Sequence, residues 1–170
     1  MLVLRLAPLV LFAAVVQVSS IAGGRIFGAE PDLLLVTIVA IGLLRGSVVG
    51  ASAGFAAGLL VDVMTLGTLG VTSLLLLGVG YWSGRYGETT GQGRAYAPSL
   101  TAFVMTFALA AVCAALHYLL GESVAAAEVL RTVLPSALLA AVLVLPVTRV
   151  CRAVLGAPIQ TMRAREVEFV

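Results

Sequence analysis

Six apolar runs, each cut off by an arginine, an acid or a glycine-rich or proline-containing stretch, dominate this chain of 170 residues. The first runs from Leu6 to Ala22, between Arg5 and Arg25. The second is Leu33 to Leu44, ended by Arg45-Gly46, and the third is Ser47 to Val61, stopped by Asp62. A glycine-rich turn from Leu66 to Gly70 leads to the fourth, Val71 to Gly84, which Arg85 ends. A polar loop, Arg85 to Ala97, precedes the fifth run, Pro98 to Leu120. After an acidic link, Gly121 to Glu128, the sixth covers Val129 to Val147. Hydrophobic residues make up 61% of the chain and charged ones 11%. A soluble domain has roughly 45–50% and 25%, and a chain this small cannot bury the excess in one core. Lipid is therefore the solvent for most of it. A soluble globular enzyme and a disordered segment are both excluded.

A helix needs about 20 apolar residues to cross roughly 30 Å of hydrocarbon. The fifth and sixth runs meet this, and the first and fourth lie near the lower limit. The second reaches only about 18 Å at 1.5 Å per residue, the length of a buried or re-entrant helix. One long helix from Leu33 to Val61 would hold Arg45 in lipid at a cost of roughly 2.5–3.5 kcal/mol. A turn at Arg45-Gly46 avoids that cost and predicts six spans, with five as the alternative. The arginines agree with six. With the N-terminus inside, eight of ten face the cytoplasm and only Arg25 and Arg131 face out, as the positive-inside rule requires. Tyr81 and Trp82, beside Arg85, suit an aromatic belt at the inner interface. The first run also has signal-peptide features, with Ser20-Ile21-Ala22 as a cleavage site. The five later runs favour an uncleaved helix. The predicted architecture is an all-α membrane helix bundle over residues 1–148, followed by a cytoplasmic tail over 149–170.

Few residues offer chemistry. A net charge of +2, with the basic residues spread along the chain, argues against a nucleic-acid partner. Cys113 and Cys151 fall at different predicted depths, which argues against a disulfide. His117, the sole histidine, shares a helix face with Cys113, but two ligands do not make a zinc site. One histidine and few acids supply no catalytic triad. There is no lysine for a phosphate-binding loop, and no recurring mid-helix carboxylate pair of the ion-coupled transporter kind. No cofactor or metal is expected. Pro135 is expected to kink the sixth helix and Pro146 to end it.

Glycines recur at every fourth position, Gly42, Gly46, Gly50, Gly54 and Gly58, with Asp62 in the same phase. At 3.6 residues per turn, Gly50, Gly54 and Gly58 share one face and form a groove for close helix approach. The occupant is either a partner protein's helix or a helix of this chain. On the first reading, Gly58→Leu cuts association with the partner while the protein still accumulates in the membrane. Asp62 is either a buried carboxylate that binds a proton, an ion or a partner arginine, or a cap for the glycine-rich turn that follows. Asp32, after Pro31, suits a helix start.

From Pro31 to Arg85 the order of these features resembles the MreD family of rod shape-determining proteins. The resemblance rests on Pro31-Asp32-Leu33, the Arg45-Gly46 turn, and Gly54, Phe55, Gly58, Leu59 and Asp62. It continues with the Leu69-Gly70 turn and with Gly80, Tyr81, Gly84 and Arg85. Thr72-Ser73 departs from the apolar continuation common in the family. The resemblance implies a non-catalytic scaffold of the bacterial cell-elongation machinery, which makes peptidoglycan. It implies a multi-pass protein of the inner membrane with MreC as partner, and an association with MreB, RodA and the penicillin-binding partner of RodA. It also implies a fold similar to the S components of energy-coupling-factor vitamin transporters. A homodimer is compatible with it. The competing reading is an S component itself, which needs polar side chains converging on a pocket. The mid-helix candidates for that are Thr37, Ser52, Thr72, Ser73, Thr101 and Thr106. Gly50, Gly54, Gly58 and Asp62 are the expected packing or partner positions; Arg45, Arg85, Tyr81 and Trp82 are the expected interface positions.

Overall fold

A computed structural model describes residues 2–23, 32–66, 69–90, 97–119 and 126–155. Among them are six helices: α1 (Leu2–Gly23), α2 (Leu33–Arg45), α3 (Ser47–Thr65), α4 (Val71–Thr90), α5 (Ala97–Leu119) and α6 (Ala126–Leu155). Three segments are long and apolar enough to cross a bilayer: Ser47–Thr65, Ala97–Ala115 and Val133–Leu155. Leu6–Gln17 and Leu33–Arg45 are shorter apolar stretches.

The shortest helix occupies the centre. Every residue of α2 from Leu34 to Leu44 is buried, and α2 touches each of the other five helices. A helix that is hydrophobic on all sides must be enclosed, and α2 is enclosed by protein. That resolves its length, since a helix shielded from lipid does not have to match the hydrocarbon thickness by itself. Its first four amides are all satisfied. Gln17 of α1 accepts from the N–H of Leu33 at 2.8 Å and, less closely, from that of Leu34 at 3.4 Å. The Asp32 carboxylate accepts from Leu35 N–H at 3.0 Å, and the Asp32 carbonyl accepts from Val36 N–H at 3.1 Å. A helix start inside a membrane protein needs such partners, because there is no water to supply them.

The chain breaks between α2 and α3 at Gly46, whose φ is 89°. Only glycine adopts that conformation without steric cost. The break reverses the chain. A Cβ added at Gly50 would lie 2.8 Å from the Cα of Gly42, whereas in a continuous helix eight residues span about 12 Å. One long helix from Leu33 to Val61 is therefore excluded, and Arg45 sits at the turn.

In three places a helix runs well past the C-terminal end of its apolar run. The fourth run stops at Gly84, yet α4 continues through Arg85 to Thr90, so the first part of the expected polar loop is helical. α3 continues past Asp62 to Thr65. Pro146 does not terminate α6, which runs on to Leu155. Polar residues end a hydrophobic run, but they do not end a helix whose backbone bonds persist into the interface.

Candidate functional site

The tightest packing is between α3 and α4. A Cβ at Gly54 would meet the backbone of Leu76, one at Gly58 the backbone of Ser73, and one at Gly50 the carbonyl of Gly80. The fit is reciprocal, for a Cβ at Gly80 would meet the backbone of Gly50 and one at Gly84 that of Ser47. The groove formed by Gly50, Gly54 and Gly58 is thus occupied by α4 of the same chain. α2 joins from the side, with Gly42 against Gly80 and Ser83, and Leu43 against Gly87. Three helices meet here backbone to backbone. In a bilayer, where hydrophobic transfer does not drive helix association, such close approach supplies the dispersion energy instead.

Carboxylates latch both ends of the α3–α4 pair. Asp62, in the last turn of α3, is 2% exposed. Its carboxylate accepts from the N–H of Gly70 at 2.8 Å and from the hydroxyl of Ser73 at 3.3 Å. It therefore caps the start of α4. At the other end Glu88, in the last turns of α4, accepts from the N–H of Ser47 at 2.8 Å and from its hydroxyl at 2.9 Å. That caps the start of α3, whose own N-cap, Gly46, has no side chain to do so. Each helix thus caps the other. Ser47 and Glu88 were not recognised in the sequence, because they are 41 positions apart and Glu88 reads as loop. Gln17 was also missed; its signal was one amide side chain inside an otherwise apolar run.

Glu88 lies beyond Arg85, outside the apolar part of α4. The Ser47 N–H holds its carboxyl below the ordinary value of 4.5, the Ser47 hydroxyl adds to this, burial opposes it, and Arg85 contributes a further lowering. A depressed carboxylate stabilises the fold above its unfolded-state pKa, and that contribution disappears as the pH falls through the lower folded value. The Ser47 latch is therefore expected to open only below about pH 4.5. Hydrogen exchange at the Ser47 amide, followed across that range in a detergent stable to acid, would detect it. Exchange independent of pH, after correction for the intrinsic rate, would contradict the assignment.

The remaining expected positions lie outside this interior. Tyr81 and Trp82 are 42% and 63% exposed. Their rings make an edge-to-face contact at 6.1 Å and 83°. Arg85 is exposed, and Arg45 is partly buried with its Nε lacking a hydrogen-bond partner among the described residues. Phe55 and Leu59, one turn apart on α3 and about 100° round the helix from Gly54 and Gly58, are 47% and 42% exposed. Cys113 and Cys151 are not joined in a disulfide. Pro31, the side chain of His117 and the chain beyond Leu155 lie outside the described residues.

Hydroxyls considered for ligand capture are largely committed within the chain. Thr37, Thr101 and Thr106 donate to the carbonyls of Leu33, Ala97 and Ala102 on their own helices. Ser52 donates to Val49, and Ser73 to Asp62. Among the described residues no three His, Cys, Asp or Glu side chains cluster as metal ligands. The geometry serves packing and capping.

Residues 1–154 match the family profile of the rod shape-determining protein MreD. The chain belongs to the MreD family. It is accordingly a non-catalytic, multi-pass membrane protein of the cell-elongation machinery that determines rod shape. No curated protein and no solved structure was found to match it. Among the residues that carry the MreD resemblance, the structure separates two sets. Gly54, Gly58, Asp62, Gly70, Gly80 and Gly84 hold α3 and α4 together or close their turn. Phe55, Leu59, Tyr81 and Arg85 face outward.

Proposed function

We propose that this protein acts in the bacterial inner membrane as a scaffold that binds MreC through the outward faces of α3 and α4. Through MreC it associates with MreB, RodA and the penicillin-binding partner of RodA. Both termini face the cytoplasm. The observation that carries this reading is the division of labour on α3. Its glycine face is filled by α4, so an approaching helix meets the exposed residues outside that face. These include Phe55 and Leu59, with Val48, Leu60 and Val63 also exposed on α3. Aromatic and branched side chains standing out from a tightly packed support suit a lateral contact driven by van der Waals packing.

Capture of MreC in mild detergent tests the reading. Phe55→Ala combined with Leu59→Ala is expected to cut MreC recovery several-fold while the protein accumulates normally. Undiminished recovery would remove α3 as the docking face. Orientation is tested separately, by labelling single cysteines with an impermeant maleimide in intact spheroplasts. Thr65→Cys is expected to react from outside, and Thr89→Cys only after the membrane is opened. The reverse pattern would invert the topology.

A further inference from the structure

A cavity of about 280 Å³ lies between α4 and α5 and has no part in the packing described above. α4 lines it with Trp82, Arg85, Tyr86 and Thr89, and α5 with Leu100, Thr101, Val104 and Met105. We propose that this cavity holds the phosphate-bearing headgroup of an anionic phospholipid, with the phosphate on Arg85 and an acyl chain laid along α5.

Four features support the assignment. First, the lining is amphipathic. Tyr86 and Met105 pack against the apolar core and form an apolar floor, while Arg85, exposed to the surroundings, supplies cationic donors at the edge. Second, the threonine hydroxyls are already committed as donors. Thr89 donates to the carbonyls of Arg85 and Tyr86, and Thr101 to that of Ala97. The guanidinium is the charged donor of the lining, beside the neutral Tyr86 hydroxyl and Trp82 N–H, and it favours an anionic oxygen. Its acidic neighbour Glu88 is engaged through one oxygen, Oε1, by Ser47 at the start of α3, and its charge offsets that of Arg85 only in part. Arginine is suited to a phosphate because its planar fork makes paired charge-assisted bonds. The first turn of α5 adds the positive end of its dipole at the same place.

Third, the volume fits a headgroup better than a whole ligand. Pockets that enclose a small molecule start at about 300 Å³, and this one is smaller and opens to the surface. Fourth, an apolar path leaves it. Leu100, Val104 and Phe107 recur at the spacing of one helix face and are 49%, 49% and 44% exposed. Two of the three also line the cavity. An acyl chain whose headgroup sits on Arg85 has that strip to follow. Trp82, also in the lining, is the residue type that settles at headgroup depth. The proposal needs only that the helices lie in a bilayer, and it is independent of the MreC reading.

Native mass spectrometry of the full chain, released from nanodiscs containing equal phosphatidylglycerol and phosphatidylcholine, tests it. The wild-type protein is expected to retain phosphatidylglycerol preferentially. Arg85→Gln is expected to reduce that retention about tenfold, the scale of one lost charge-assisted pair. Arg149→Gln, an exposed arginine on α6, is the control and is expected to leave retention unchanged. Val104→Trp, which fills the cavity and spares the arginine, is expected to lower retention as well. Equal retention of the two lipids, or full retention in Arg85→Gln, would overturn the proposal. So would displacement of the lipid by millimolar inorganic phosphate, which would identify a plain anion site. Loss of lipid from wild type on adding a soluble acidic peptide would assign the cavity to a protein partner instead.

Discussion

Gly58→Leu is expected to remove the folded protein from the membrane, and with it any association. A side chain at Gly58 would enter the backbone of Ser73. Backbone cannot rotate away as a flexible side chain can, so α3 and α4 must separate along their length. Separation also breaks the Asp62 and Glu88 latches at the two ends. Overpacking a well-filled core costs typically 1–3 kcal/mol, occasionally more, and forcing two backbones apart is placed at the upper end of that range. This is a sizeable share of the ~5–15 kcal/mol by which small domains are stable. A sharp control lies on the facing helix, α4. A Cβ at Gly78 would meet nothing within 4 Å, so Gly78→Ala is expected to be neutral or to gain up to about 1 kcal/mol of helix propensity. Immunoblotting of membranes and thermal unfolding in detergent check both. Normal accumulation of Gly58→Leu would mean that α4 is not seated in this groove.

Asp62→Leu is expected to be nearly as damaging, and Asp62→Asn mild. Leucine removes the acceptor from the Gly70 N–H and the Ser73 hydroxyl, and both sit where water is scarce. An unsatisfied buried donor costs about 1–3 kcal/mol, and a lost helix cap about 1 kcal/mol. Asparagine keeps one acceptor oxygen at the same reach and retains most of the capping. The pair of variants also separates the two roles weighed for this residue. Capping tolerates an amide, whereas proton or cation binding does not. Thermal stability close to wild type together with full support of rod shape in Asp62→Asn would establish the cap. Stable protein with lost shape support would establish a role for the charge.

The contrast between Gly58 and Gly78 also indicates what could be read from the residues alone. The break at Arg45-Gly46 was legible because two local rules agreed there: an arginine is costly in lipid, and a glycine permits a positive φ. The enclosure of α2 was legible in outline, since a run too short to span and apolar on every face has few other places to go. The occupant of the groove was not legible. A stripe of small residues states that something approaches closely but not what; the answer lies in Gly80 and Gly84, which stand opposite it only in the folded chain. Glu88 was hidden for a different reason. Its polar surroundings end the hydrophobic run, and a run boundary is not a helix boundary. Its partner, Ser47, belongs to a helix that starts 41 positions earlier, and no local pattern connects a carboxylate to the amide of a distant helix. Gln17 illustrates the same limit, because one polar side chain in an apolar run does not reveal which helix it caps.

The position of α2 bears on how the molecule is made. As the ribosome delivers the chain, α2 emerges second, yet two of the helices that wall it in, α5 and α6, are synthesised last. A segment of 13 residues, about 20 Å long, is a poor stop-transfer signal on its own. The nascent protein must therefore carry an incompletely sheltered helix until the final third of translation. Chains cut short before α6 are expected to be recognised by membrane proteases, so that only finished copies reach the elongation machinery.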